Sequence, residues 1–262
     1  GESKMSFYTE IESCRVSKEK DLVSILDLGN QKLTGVFPTP QEESALERGP
    51  LELVWSPSSH LVQIKHTFEP TMMYGDNYGY RSGLNSGMIK HLEKKAQKIQ
   101  KDINFKSGDI VVDIAGNDGT FLGFFPETCQ LMSIDPTSKK FSKYFKSNVN
   151  YIADFFSADL FKQRFGDQKA KVITSFSMFY DLDDPCEFAR QVKDCLATDG
   201  IWVLEQSYMP EMLRVNSFDT VCHEHLSYYG MRQIKYIMDN VGLNIVDYEF
   251  NDVNGGSISV VV

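Results

Sequence analysis

Positive charge is in short supply. Lys and Arg total 27 against 36 Asp and Glu, for a net charge of −9 and a pI near 5.1. No Lys/Arg block carries interleaved aromatics, so a nucleic-acid partner is not expected, because phosphate binding needs clustered cations. No apolar run reaches the length of a membrane span and no N-terminal run resembles a signal peptide, so neither a membrane partner nor export is expected, and the location read from this is cytoplasmic. Cysteine is sparse and scattered. Cys14, Cys129, Cys186, Cys195 and Cys222 form no Cys-x-x-Cys pair, which points to reduced thiols rather than a disulfide framework. Gly1–Lys4, ahead of Met5, read as a tag remnant and are left out of the argument.

What is present is ample apolar material. The 262 residues are 42% hydrophobic, enough for one sizeable core with a smaller lobe attached. Residues 5–70 show short strand patterns, such as Leu51–Trp55, broken by Gly, Pro and Ser, and read as a small β-rich lobe. Residues 71–105 hold a Tyr/Gly-rich stretch, expected as an exposed or ligand-covering loop, and a helix with Ile89, Leu92, Ala96 and Ile99 on one face. Residues 106–262 alternate strands with helices, which argues a parallel sheet in an α/β domain. Its strands are expected at 110–114, 130–134, 149–153, 171–176 and 201–205, with a helix from Thr120 and one over 231–241. Asp184 is placed to cap a further helix that starts at Pro185. The final strands, 244–250 and 257–262, flank Asn254-Gly255-Gly256, a hairpin signal. A mostly parallel seven-stranded sheet closed by an antiparallel hairpin is the Rossmann-like architecture of class I S-adenosylmethionine-dependent methyltransferases.

The chemistry centres on Asp113-Ile114-Ala115-Gly116-Asn117-Asp118-Gly119, where a β-branched run ends at an acid and two glycines enclose two small polar residues. Strand, tight turn and helix in that order open a nucleotide-binding α/β unit. Asp113, Gly116, Asn117, Asp118 and Gly119 are therefore candidate cofactor residues. The third glycine of the dinucleotide fingerprint, where a pyrophosphate must approach, is missing. Asp135 ends the second strand, 22 residues beyond Asp113, where a carboxylate can accept two ribose hydroxyls. Such an acid serves NAD equally well, so it does not separate the two cofactors. Asp154 and Phe155 follow the third strand, where an acid can accept an adenine amino group and a ring can stack on it, although both Phe155 and Phe156 equally suit a core.

His223-Glu224-His225 places two of the five histidines around a carboxylate after the fifth strand. The C-terminal end of a strand is where α/β enzymes put their chemistry, and a base working near neutral pH is most often His. A metal reading of His-x-His lacks further ligands in the sequence. A hydrogen-bonded structural loop remains the alternative.

Several segments resemble the sugar C-methyltransferase family of deoxysugar and capsule biosynthesis. They are Asp113–Thr120, Tyr78–Asn85, Thr220–Tyr229, Asp252–Ser257 and Leu33–Pro38, and the resemblance is collinear from about Cys14 to the C-terminus. It implies S-adenosylmethionine as methyl donor, S-adenosylhomocysteine as product and a nucleotide-linked sugar as acceptor. It implies that Ser175 lies near the cofactor with Asp154 and Phe155. His225 would be the general base with Glu224 and His223 beside it. Tyr78, Tyr80 and Arg81 would face the substrate, with Tyr80 steadying an enolate. The family's N-terminal lobe carries two zinc-binding Cys-x-x-Cys pairs, and here the matching positions are Cys14-x-x-Ser17 and Ser56-x-x-Ser59. Serine is a poor zinc ligand, and His60 and His66 are not expected to substitute, so no structural zinc is expected. Longer members continue into a C-terminal domain, and this chain is expected to lack it.

The leading expectation is thus methyl transfer to carbon or oxygen of a small nucleotide-linked acceptor. O-methylation of a nucleotide-linked phosphoramidate or another capsule precursor is the nearest alternative. An NAD-dependent oxidoreductase and a non-catalytic cofactor-binding protein are alternatives of other classes.

Overall fold

The computed structural model describes residues 7–33, 48–70, 80–207, 209–214, 222–223, 225–251 and 257–262. Tyr78, Glu224, residues 34–38, the arm up to residue 79 and the 252–256 loop lie outside them.

In chain order, five strands come first: β1 (Tyr8–Glu10), β2 (Val23–Lys32), β3 (Arg48–Trp55), β4 (Val62–Ile64) and β5 (His66–Phe68). Then follow α1 (Ser86–Asp102), β6 (Ile110–Ile114), β7 (Gln130–Ile134), α2 (Ser138–Phe141), β8 (Val149–Ile152), α3 (Ala158–Phe165) and β9 (Ala170–Phe176). The rest comprises α4 (Pro185–Cys195), β10 (Leu196–Ser207), α5 (Met209–Arg214), β11 (Ser227–Tyr228), α6 (Met231–Val241), β12 (Asp247–Asn251) and β13 (Ser257–Val261).

The chain divides into two compact units. One gathers Gly1–Gly79, Met178–Glu187 and Gln206–Ser259, and the other gathers Tyr80–Ser177, Phe188–Glu205 and Val260–Val262. The second unit holds a five-stranded parallel sheet in the order β8-β7-β6-β9-β10. Every residue of β6 is buried, as expected for a parallel strand covered on both faces. The chain winds outward from β6 through β7 to β8, then restarts on the other side at β9. The C-terminal ends of β6 and β9 therefore flank a topological switch point, where such sheets bind ligands. The buried face of α1 is Leu92, Lys95, Ala96 and Ile99, and Asn85 caps it by accepting from the Gly87 and Met88 amides at 2.9 and 3.1 Å. Trp202 and Val262 exchange two backbone hydrogen bonds of 3.0 Å each.

The helix expected from Thr120 is reduced to a single 3-10 turn, Leu122–Phe124. Pro126 forces Phe125 into the extended region (φ −91, ψ 156), which ends helical winding at once. β10 is longer than expected at both ends, with a register shift between Leu196 and Ile201.

In the first unit, β11-β4-β3-β2 form an antiparallel sheet and β1 pairs with β5. Leu33, Leu51, Leu53, Ile64, Phe68 and Leu226 build its core. Arg15 is 3% exposed yet fully engaged. Its guanidinium donates to the Ile64 carbonyl (2.6 Å), Thr67 Oγ1 (2.9 Å) and Asp183 Oδ1 (3.0 Å), which ties the turn before α4 to β4 and β5. β2 is exposed along its whole length, and two bulges, at 24–26 and 27–30, bend this edge strand.

Candidate active site

In the parallel-sheet unit the turn after β6 is wound into left-handed backbone. Ala115, Asn117 and Gly119 have φ of 58, 54 and 78°. A Cβ on Gly116 would stand 2.4 Å from Ser133 Oγ, and one on Gly119 would stand 2.7 Å from Phe145 Cδ1, so both positions need glycine. Asp135 braces the turn from the end of β7. Its Oδ2 accepts from the Asn117 amide (2.9 Å), and its Oδ1 accepts from the Thr137 amide and hydroxyl (2.7 and 2.6 Å).

Asn117 and Asp118 also bind the segment that precedes α1. Asn117 accepts from the Ser82 amide (2.9 Å) and donates to the Tyr80 carbonyl (2.9 Å), while Asp118 Oδ2 accepts from the Gly83 amide (2.8 Å). The segment bearing Tyr80 and Arg81 is thereby fastened to the glycine turn. The Arg81 guanidinium lies 3.7 Å from the Tyr144 ring centroid, and its Nε is 3.7 Å from Asp118 Oδ2. Tyr80 is 45% exposed.

Asp113 is buried and accepts from Thr174 Oγ1 at 2.7 Å. Burial pushes its carboxyl up from 3.8 to about 7, opposed by the Thr174 hydrogen bond and assisted by the Asp135 charge. The folded chain thus keeps a proton that the unfolded chain releases above pH ~4. This contribution to stability is whole below that pH and is lost as the pH rises through about 7. Asp113→Asn should remove that decline, seen as a smaller Tm difference between acid and neutral pH than the parent shows.

Ser175 ends the buried part of β9. It is fully buried and accepts from Trp202 Nε1 at 2.9 Å. Asp154 and Phe155 are exposed after β8, and the Phe155 amide donates to Asp154 Oδ1 at 2.7 Å.

The sequence reading missed one cluster of this unit. Glu205, at the end of β10 and 2% exposed, lies 2.7 Å from His91 Nε2 and 3.4 Å from Lys95 Nζ. The signal was an acid in a buried strand end and two bases four apart on α1.

In the other unit, His225 Nε2 lies 4.0 Å from Asp181 Oδ1, and its ring meets Tyr180 edge-on at 4.2 Å. The side chains of His225 and Asp181 are 18% and 15% exposed. Asp181 and Tyr180 stand on a 3-10 turn, Phe179–Asp181, which no motif announced. His223 has partners of its own. Its Nε2 is 3.0 Å from the Gly49 carbonyl, its ring packs edge-on against Phe68 at 4.9 Å, and burial lowers its pKa.

The four positions that correspond to a zinc site do come together. Cys14 Sγ lies 3.2 Å from Ser59 Oγ and accepts from the Ser17 amide (3.4 Å) and Gln63 Nε2 (3.3 Å). Ser56 Oγ donates to Asp21 at 2.7 Å. Burial alone would raise the Cys14 thiol, but the bonds from Ser17, Ser59 and Gln63 outweigh it and bring it down to about 7. One thiol among hydroxyls does not fit tetrahedral zinc, and the described residues contain no group of three His, Cys, Asp or Glu able to hold a metal. Dialysis against a strong chelator should therefore leave Tm unchanged, and elemental analysis should find zinc well below one equivalent.

A family model described as "Methyltransferase domain" matches residues 85–248. The chain belongs to the methyltransferase-domain family. A second model, described as "Putative zinc binding domain", matches residues 14–74. The C-methyltransferase NovU of Streptomyces niveus is 28% identical over 95% of this methyltransferase chain, which spans 60% of NovU's length. Two solved structures share the Rossmann-like methyltransferase fold at low identity. One is a complex between the Haloferax volcanii Trm112 activator and a methyltransferase (TM-score 0.52, 14% identity, 67% of this chain and 93% of that one). The other is the mitomycin 7-O-methyltransferase MmcR (TM-score 0.52, 11% identity, 68% and 54%). The family's chemistry is methyl transfer from S-adenosylmethionine.

The glycine turn fits that donor. Gly116 keeps the backbone open where a side chain would collide, and Ser133 Oγ beside it is buried with no hydrogen-bond partner among the described residues. Asp135 uses three of its roughly four acceptor positions, which leaves one for a hydroxyl. None of the described helices is long and apolar enough to cross a membrane.

Proposed function

We propose that this chain methylates carbon or oxygen of a small, nucleotide-linked acceptor in a carbohydrate or capsule pathway, with His225 as the general base. The observation that carries the reading is the pairing of His225 with Asp181, set on a methyltransferase domain that retains its glycine turn and Asp135. S-adenosylmethionine supplies an activated methyl group. The residues of the turn, with Asp135, would hold it; Asp113, Asp154, Phe155 and Ser175 remain neighbours of that site in the proposal.

His225 takes the proton. For carbon methylation it removes a C–H proton beside a carbonyl, the electron pair passes into an enolate, and the Tyr80 and Tyr78 phenols donate to the developing oxyanion. For oxygen methylation the same nitrogen deprotonates a hydroxyl or a phosphorus-linked oxygen, as a nucleotide-linked phosphoramidate would require. Asp181, facing the ring, and Glu224, its chain neighbour, orient it and stabilise the imidazolium. Arg81, held over Tyr144, offers a cation to the acceptor, and His223 supports the loop from its buried position.

The finer architecture is proposed with it. A seven-stranded sheet closed by the β12–β13 hairpin is supported by the strand order and by the Trp202–Val262 hydrogen bonds. The division into a lobe at 5–70, an arm and helix at 71–105 and a cofactor domain at 106–262 is supported by family matches at 14–74 and 85–248. A cytoplasmic location belongs to the same proposal. S-adenosylhomocysteine release measured across nucleotide-linked keto-sugars, nucleotide-linked phosphoramidates and free sugars tests the acceptor class. Turnover confined to free sugars would overturn it.

A further inference from the structure

His91, Lys95 and Glu205 form a polar cluster that no step of the proposed reaction uses, in the same compact unit as the glycine turn. Burying a carboxylate is costly unless it is paired, and apolar side chains of similar size often replace such a cluster without loss of stability. The rest of the buried face of α1 is Leu92, Ala96 and Ile99, so packing alone does not call for the cluster. What it supplies is an oriented imidazole. A carboxylate only accepts, so His91 Nε2 donates to Glu205 Oε2 at 2.7 Å, while Lys95 Nζ stands 3.4 Å from Glu205 Oε1. In the neutral ring Nδ1 is then an acceptor, and the described residues give it no hydrogen bond. The side chains of Glu205 and Lys95 are 2% and 6% exposed and that of His91 17%, so the ring is the part of the cluster that a ligand can reach.

Its place in the sheet indicates which ligand. Glu205 is in register with Phe176 at the end of β9, and the Ser177 amide donates to the Glu205 carbonyl at 2.7 Å. The cluster therefore stands at the C-terminal edge of the parallel strands, where such sheets bind ligands. The glycine turn and Asp135, which would hold the donor, follow β6 and β7. β10 is two strands from β6 on the side away from β7, about 10 Å at the usual strand spacing. A donor that runs from the turn to Asp135 runs away from β10, which leaves His91 to the second substrate.

We propose that His91 Nδ1 accepts a hydrogen bond from a hydroxyl of the acceptor and so orients the acceptor toward the methyl group. Glu205 is the positioning residue behind it: it fixes the ring and the tautomer that leaves Nδ1 as the acceptor. Lys95 keeps a cation beside the Glu205 carboxylate. The proposal rests on the reading of the acceptor as a nucleotide-linked, hydroxyl-bearing molecule and adds a residue that meets it. A substrate without a donor at that place would leave Nδ1 unpaired in the closed site, so the contact selects as well as orients.

Two substitutions separate the two ring nitrogens. His91→Gln puts an amide N–H where Nε2 stands and no atom where Nδ1 stands, whereas His91→Asn does the reverse. The full chain, saturated with S-adenosylhomocysteine, is titrated calorimetrically with nucleotide-linked keto-sugars, nucleotide-linked phosphoramidates and free sugars, which needs no turnover. His91→Gln should keep the parent Tm and bind the acceptors about tenfold more weakly, the scale of one hydrogen bond. His91→Asn should lower Tm yet bind them more tightly than His91→Gln does. A tie between α1 and β10 with no ligand role would give the opposite ranking. S-adenosylmethionine affinity should stay at the parent value in both variants. The proposal is overturned if His91→Gln binds the acceptors as tightly as the parent, if it loses donor affinity to the same extent, or if no compound binds the loaded chain. Nucleotide-linked compounds bound alike by parent and His91→Gln would remove the His91 contact and leave the acceptor reading standing. Free sugars alone bound, and weakened by His91→Gln, would sink that reading and keep the contact.

Discussion

His225→Ala is expected to lower methyl transfer by about 10²-fold or more, the scale of losing a general base, while S-adenosylmethionine affinity stays at the parent value. The two effects separate because the glycine turn is held by bonds to Asp135, Tyr80 and Ser82. The turn's conformation rests on Asp135, Gly116 and Gly119, none of which depends on the imidazole. Only proton removal is lost. Asp181→Asn should be milder, since it leaves the base and weakens its orientation and the stabilisation of the imidazolium. Initial rates at saturating donor, with calorimetric titration of the donor, read both effects. Equal loss of donor affinity and rate would mean that His225 holds the cofactor and is not the base.

Asp135→Ala is expected to weaken S-adenosylmethionine binding by about 10²-fold and to lower Tm. Its carboxylate is buried and takes three hydrogen bonds, two of them from backbone amides of the turns that follow β6 and β7. Hydrogen bonds to a charged group contribute about 1.5–3 kcal/mol each, and an amide left buried without its acceptor costs a similar amount. Asn117 would lose the restraint that holds it at a φ of 54°, and the Tyr80–Gly83 segment fastened to Asn117 and Asp118 would loosen with it. Asp135→Asn keeps one carbonyl acceptor and should fall between parent and alanine. Unchanged donor affinity in the alanine variant would place the cofactor elsewhere.

The sheet and its turn were legible because they are local. β6, β7 and β9 each carry a short apolar stretch (Ile110–Val112, Leu131–Met132 and Val172–Ile173), the two glycines sit where a Cβ would collide, and Asp184 caps α4 by accepting from the Glu187 amide, as its place before Pro185 implied. The length of β2 was hidden by its bulges, which break the apolar-polar alternation that marks a strand. The polar partnerships were hidden for another reason. Asn117 meets residues 35 and 37 positions away, and His91 meets Glu205 across 114. Asp181 reaches His225 from a turn with no motif of its own. Sequence pattern proposes which residues carry chemistry, but which of them face each other is fixed by tertiary contacts that leave no periodic trace. The bonds from Asn117 and Asp118 to the Tyr80–Gly83 segment are contacts of this kind.

The central claim is base-assisted methyl transfer, and one measurement addresses it directly. Parent and His225→Ala proteins are incubated with S-adenosylmethionine carrying a deuterated methyl group and with the nucleotide-linked acceptors, and products are read by mass spectrometry. The account predicts a labelled acceptor and stoichiometric S-adenosylhomocysteine from the parent, with the label nearly absent from the variant at equal donor occupancy. Label transferred equally by both proteins, or by neither, would contradict it.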